Sequence, residues 1–463
     1  MGRRVGFILA GALLGWCHFA GAANDLYWDT NGTTAGSGAA TGTWGTNNFW
    51  NTDVDGIANA FQISTAAIND LHFQAGTNGT AGTINVSGNQ LAGGLYFEET
   101  ALTLSSGTIT LSDGAIINNS AGPSIIPRIS SALATSGTVT LTGTRIWMDN
   151  ASFAGGGTLE VSTTNATLLE NGGALNGLSV INLNSGGLDI RIGENGYNYG
   201  TGTILNFVNS SSLTTNLTPD VNWKGDITVA SAKTANLSAF NGASTLFIDG
   251  DISGAGNVTI GGSGVTVLTG TNTYAGTTTV SGFTLRISGG AAIADSGLVS
   301  MSMGGAANTF DVQTSETIGA LGGGTVTFSV VNIAAGQTLT LTNGTQTYSG
   351  TFNGTGRLTI AGASQTLASA VTLTDLRVES GSLTLNGANT ITNGLVMTGG
   401  TVQLRDAGSA GTGTIQASGG TLQVATARGT TLSLPNAITV STGSRVILSP
   451  QTNGGVAGTA TVN

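Results

Sequence analysis

The 463-residue chain carries 8% charged residues, 75 glycines and 5 prolines, with a formal net charge of −10. No cluster of Lys or Arg occurs after residue 4, so the electrostatic footprint of a phosphate-backbone binder is missing and nucleic acid is excluded as a partner. Few prolines and a regular polar/apolar alternation also separate it from a disordered Gly-rich polymer.

Residues 1–23 have the form of a secretory signal. Arg3 and Arg4 supply the positive end, Val5 to Trp16 the apolar stretch, and Ala20, Gly21 and Ala22 the small residues before a cut near Ala22 or Ala23. Removing both arginines takes the net charge to about −12. Cys17, the single cysteine, leaves with the signal, so no disulfide supports the secreted chain. No second run of about 20 apolar residues follows, so no transmembrane helix is expected in the mature chain.

From Asn24 to Ala60 the aromatics Tyr27, Trp28, Trp44, Phe49 and Trp50 crowd into irregular Asn- and Gly-rich sequence. A stacked fold must cover its first turn, and bulky rings on loops can do so, which makes 24–60 an N-terminal cap. The alternative is an aromatic platform for sugar rings. Residues 61–253 read as irregular turns with short strands at Leu71 to Phe73, Leu95 to Phe97, Ile146 to Met148, Leu188 to Ile192 and Thr245 to Ile248. Residues 254–463 are more regular, and no Pro-rich or charged linker separates the two parts.

A glycine followed by polar/apolar alternation recurs at Gly82, Gly107, Gly137, Gly157, Gly324, Gly356, Gly381, Gly400 and Gly420. Such a frame marks a turn and then a strand with one buried face. A spacing near 20 residues signals a solenoid. About 400 residues in turns of about 21 would give roughly 19 turns and a rod near 90 Å long. Thr, Ser and Asn replace charges on the exposed positions, where ladders of hydrogen bonds avoid the repulsion of stacked like charges.

A longer frame repeats 117 residues apart: Gly270, Asn272, Thr273, Val280, Gly282, Leu285 and Ile287 match Gly387, Asn389, Thr390, Met397, Gly399, Val402 and Leu404. A degraded copy begins at Gly344, with Thr347, Tyr348 and Gly350 in register and its strand Leu358 to Ile360 one residue early. The clear copy, 267–287, resembles the autotransporter-associated β-strand repeat, also called the passenger-associated transport repeat; 387–404 is a weaker copy with Ile391 in the place of Tyr274. The family pattern has a glycine where Phe283 stands, with Gly282 before it. The resemblance implies an all-β, right-handed parallel β-helix exported across an outer membrane, hence contact with outer-membrane export machinery. It also implies a translocating barrel or sorting tail, neither of which is visible before Asn463, so a truncated N-terminal part or another export route is expected.

Chemistry-bearing residues are sparse. His72 is the single imidazole outside the signal, zinc sites built on His or Cys are excluded by count, and no Ser-His-Asp arrangement can be assembled. The carboxylate candidates are Glu98 with Glu99, Asp249 with Asp251, and Asp189 with Arg191 and Glu194. Adjacent Glu98 and Glu99 should point to opposite sides, Asp249 and Asp251 should sit at a solvated turn, and Lys224 and Lys233 do not cluster for a lyase. The Asp29 and Asp53 segments resemble fragments of oxygen-ligand loops but lack the downstream Glu of an EF-hand. No catalytic, cofactor-binding or metal-ligating residue is therefore assigned, and no cofactor is expected. The sequence reads as a non-enzymatic secreted or cell-surface passenger, structural or adhesin-like, meeting surface polysaccharide or other extracellular material. The alternative is a polysaccharide-degrading β-helix lyase or glycoside hydrolase.

Overall fold

The computed structural model describes residues 24–149, 152–170, 175–191, 197–216, 220–304, 307–406, 408–426, 431–450 and 459–462. Residues 1–23, read from the sequence as a secretory signal, and Glu194 lie outside the described residues. The chain winds as a parallel β-solenoid of about 17 turns with no helix among the described residues. At the ordinary strand spacing this is a rod about 80 Å long. The turn count is lower than the sequence period implies because the step between stacked residues varies, from 18 at Leu358 and Leu376 through 25 at Ile227 and Ile252 to 28 at Thr431 and Thr459, and reaches 45 at Leu26 and Leu71 in the cap.

Each turn lays strands on three faces. One turn places Ile252–Gly254 on the first, Asn257–Gly262 on the second and Val265–Leu268 on the third. The next turn repeats this. Residues 271–275 stack on the first face through Thr273 N–H to Ile252 O (2.8 Å) and Ala275 N–H to Gly254 O (2.9 Å). Thr278–Val280 pairs in parallel on the second face and Phe283–Ile287 on the third. Alternate side chains point inward, so Leu268, Tyr274, Val280, Leu285 and Ile287 are all fully buried in one continuous apolar column. That column, rather than any local segment, supplies the hydrophobic stabilisation.

The three copies of the longer frame start on three different faces. Tyr274 lies on the first face; Tyr348 pairs with Leu367 on the second; Ile391, paired through Thr390–Ile391 with Thr372–Leu373, occupies the third position of its turn. The repeated unit is thus one full turn of chain that can begin at any corner. Its glycines serve close approach as well as turn conformation. A Cβ at Gly276 would stand 2.1 Å from the Gly256 carbonyl oxygen of the turn beneath, whereas Gly387 is needed for its φ of +73°.

Two local outcomes differ from the sequence pattern. Gly324 to Phe328 is a turn, not a strand, with Val326 60% exposed. The strands flanking it are Ala320–Gly323 and Ser329–Ile333, and the second, with Val331 and Ile333 fully buried, carries the inward alternation. Phe283, where the family pattern has glycine, adopts φ +41° and is 43% exposed. A left-handed conformation costs a Cβ-bearing residue about 1–2 kcal/mol, part of which glycine's extra unfolded-state entropy would offset. Phe283→Gly is therefore expected to stabilise the protein by about 0.5–1 kcal/mol. A thermal melt with unchanged or lowered midpoint would contradict this.

The first turn is capped as the aromatic composition suggests. Leu26–Trp28 pairs antiparallel with Trp50–Asn51, and that pairs antiparallel with Phe61–Gln62, whereas Leu26–Trp28 pairs in parallel with Asp70–His72. The first face thus ends on the two-residue Phe61–Gln62 and the second on the three-residue Gly42–Trp44, edges too short to recruit another chain readily. Trp28, Trp44 and Trp50 are fully buried and packed edge to face, with ring centroids 4.9 Å apart for Trp28 and Trp50 and 5.5 Å for Trp44 and Trp50. Phe73 and Phe97 continue this core into the first parallel turns. Buried rings cannot stack on a sugar, so the three tryptophans are not a sugar platform.

Outward polar residues form the expected ladders. Asn182 Nδ2 donates to Glu160 Oε1 (2.6 Å), and Asn206 Nδ2 donates to Asn182 Oδ1 (2.8 Å).

Candidate functional site

At the capped end, the outward side chains of the first face become aromatic and acidic. The register that aligns Tyr27 with His72, and His72 with Tyr96, puts three rings in one column. Tyr27 and His72 stack with centroids 4.7 Å apart, and His72 and Tyr96 with centroids 4.8 Å apart. Gly94 makes room for this, since a Cβ there would lie 2.8 Å from both the Tyr96 ring and Asp70 Oδ1.

Three carboxylates surround the imidazole. Glu98 Oε2 lies 3.0 Å from His72 Nδ1, Asp25 Oδ1 lies 3.8 Å from His72 Nε2, and Asp70 adds its charge from the same strand. Burial pulls the His72 pKa down, but the Glu98 hydrogen bond and charge, then Asp25 and Asp70, more than offset it and hold it above its ordinary value. Burial, then the Asp25 charge, raises Asp70, although His72 opposes both. Folding therefore favours the imidazolium: its contribution is complete below the unfolded-state pKa and is lost as pH rises through the folded one. Glu98→Gln is expected to lower the His72 titration midpoint read from its ring proton shifts. An unchanged midpoint would remove Glu98 as the main partner.

Beside the stack lies a depression of about 520 Å³ lined by Tyr27, Asp25, Asp53, Asn24, Gln62 and Asn69, among others. Asp53 is fixed there by its own turn, accepting the N–H groups of Asp55 (3.2 Å), Ile57 (3.0 Å) and Ala58 (2.8 Å). The Asp55 hydrogen bond first, with those of Ala58 and Ile57, keeps its pKa below the usual range. Burial, then the charges of Asp25, Glu98 and Asp53, pushes the Tyr27 hydroxyl up.

The carboxylates singled out from the sequence serve adjacent turns. Glu98 faces His72, whereas Glu99 Oε2 accepts from Gly79 N–H (2.8 Å), so the neighbours diverge. Asp249 pairs with Lys224 and accepts from Thr269 Oγ1 (2.6 Å), while Asp251 Oδ1 accepts from Thr271 N–H (2.7 Å). Asp189 is buried, ion-paired with Arg191 at 2.9 Å and bonded to Thr214 and Asn216 of the next turn. In the two segments likened to calcium loops, Asp29 accepts from Asn31 N–H and Asn51 Nδ2 (both 3.0 Å), and Asp53 closes the turn described above. No group of three or more potential metal ligands occurs among the described residues. The cluster around His72 escapes sequence reading because the steps joining it, 45 from Tyr27 and 24 to Tyr96, follow no common period.

No family model matches the chain, and no solved structure matches it. The chain is 32% identical over 180 residues to the adhesin BmaC autotransporter of Brucella suis biovar 1 (strain 1330). The β-solenoid and this similarity are consistent with an autotransporter passenger repeat protein. The similarity covers 34% of this chain and 5% of that adhesin, so the chain spans a small part of its length.

Proposed function

We propose that the chain is a non-enzymatic, adhesin-like passenger displayed at the cell surface or secreted, a rigid rod whose repeats support stacking and export. The likeness to an autotransporter adhesin carries this reading. The use of Asp189, Asp249 and Asp251 to tie adjacent turns together supports it, since those carboxylates already have structural partners. Surface polysaccharide or other extracellular material is the class of partner proposed, and outer-membrane export machinery the route.

The test is display of the chain on a non-adherent bacterium, followed by counting cells retained on polysaccharide-coated and host-cell surfaces. Retention above the undisplayed strain is expected, and none on any surface would sink the adhesin reading. Turnover of a polysaccharide by purified protein, abolished in Asp249→Ala or Asp251→Ala, would favour the lyase or hydrolase instead. Unchanged surface yield after deletion of residues 270–287 would remove the export role of the repeats.

A further inference from the structure

The capped end of the rod is electrically unlike its shaft. Residues 24–127 hold eight Asp and Glu and no Lys or Arg, while residues 128–253 hold nine acids and five bases and residues 254–463 six of each. Within that acidic end, the depression beside Tyr27 combines an aromatic ring with the carboxylates of Asp25 and Asp53 in one lining. Its volume of about 520 Å³ falls within the range of small-ligand sites. Asp25 is 51% exposed and has only the long contact to His72, so its charge is largely available; Asp53 is held ionised by its turn. His72, the one basic side chain of residues 24–127, is already engaged by Glu98 and stacks on the Tyr27 ring.

We infer that this depression binds a positively charged organic group, the ammonium or guanidinium of a basic peptide side chain, placed among Asp25, Asp53 and Tyr27. An aromatic ring beside paired carboxylates attracts such a cation through both its quadrupole and the carboxylate charges. The side-chain amides of Asn24 and Gln62 line the same space and can accept the remaining donors through their carbonyl oxygens, whereas that of Asn69 already accepts from Ala66 N–H (2.7 Å). The field of the acidic end favours approach of basic partners over acidic ones. This deepens the adhesin reading by naming the chemistry of one contact, and relies on that reading only for where the cation is displayed.

The test titrates the full chain with N-acetyl-lysine amide and N-acetyl-arginine amide, using N-acetyl-norleucine amide as the neutral control, and follows the Tyr27 ring signals. Saturable shifts with one or both cationic probes, weakened by salt and absent with the control, are expected. Asp25→Asn, at an exposed position that leaves the fold intact, should weaken binding about two- to fivefold. The control Asp251→Asn should not. Equal binding of norleucine amide, no shift with either cation, or no effect of Asp25→Asn would overturn the inference. The cell-retention assay is independent of these outcomes, so failure here and failure of the adhesin reading remain distinguishable.

Discussion

Asn272→Ala is expected to destabilise its part of the rod by about 2–4 kcal/mol, the cost of leaving two buried backbone groups without partners. Asn272 is only 4% exposed, and its carboxamide joins three successive turns. Oδ1 accepts from Ile252 N–H below (2.7 Å), and Nδ2 donates to Ala292 O above (2.6 Å). Asn389 makes the same clamp between Val371 N–H (2.9 Å) and Ser409 O (2.6 Å), although it sits at a different corner of the solenoid. A short amide with one donor side and one acceptor side is the group this geometry requires. Because a long repeat array need not unfold in one step, the sensitive measurement is hydrogen exchange at the Ile252 amide rather than a single melting midpoint. Asn257→Ala is the control, since Asn257 offers only one bond, to Thr277 N–H (2.9 Å), at a half-buried position. Equal loss of protection in the two variants would show that the three-turn clamp adds nothing.

The clamp explains which features of the fold were legible in the sequence. Asn272 and Asn389 recur because backbone geometry repeats, and the inward Leu, Val and Ile recur because they share one column, so the architecture could be read from spacing. Turn length could not. Loops at the corners absorb extra residues without disturbing the pairing, so steps such as 18 and 25 coexist in one ladder. Gly324 shows the converse: the correct local pattern forms a turn because the neighbouring Ser329–Ile333 presents a better buried face. The tryptophans were readable as a cap because nothing else can cover an open turn with so few charges. The cluster of Asp25, Tyr27, Asp70, His72, Tyr96 and Glu98 was not, because it exists only through register between turns of unequal length.

These two kinds of residue separate scaffold from display. The repeat positions face inward or bind adjacent backbone, so varying them changes stability, whereas the outward column at the capped end can change without altering the ladder. Contact chemistry therefore belongs at outward positions such as Asp25 and Tyr27. The balance of six acids and six bases over residues 254–463 keeps those stacked turns free of mutual repulsion.

The second large effect concerns Glu316, whose side chain lies 2% exposed inside the shaft, where residues 291–294 of the first face form no strand. Its oxygens accept from Ala292 N–H (3.1 Å) and Ile293 N–H (3.3 Å), substituting for the missing ladder partners. Burial raises its pKa to about 7, against the opposing pull of those two amides and with a smaller upward push from Asp295. A raised carboxyl pKa means that the folded state holds the proton more tightly than the unfolded chain. The associated stability is complete below the unfolded value near 4.5 and is lost as pH rises through about 7. The full excursion is on the order of 3 kcal/mol. Glu316→Gln removes the titration but has only one acceptor oxygen, so one of the two amides loses its partner at a cost of about 1 kcal/mol. The variant is thus expected to be less stable than the parent at pH 5 and more stable at pH 8.5. Exchange of the Ala292 and Ile293 amides, corrected for intrinsic pH dependence, reads this crossover locally. Parallel pH profiles for parent and variant would mean that Glu316 stays ionised in the folded rod, with its two amides sufficient to hold a buried charge.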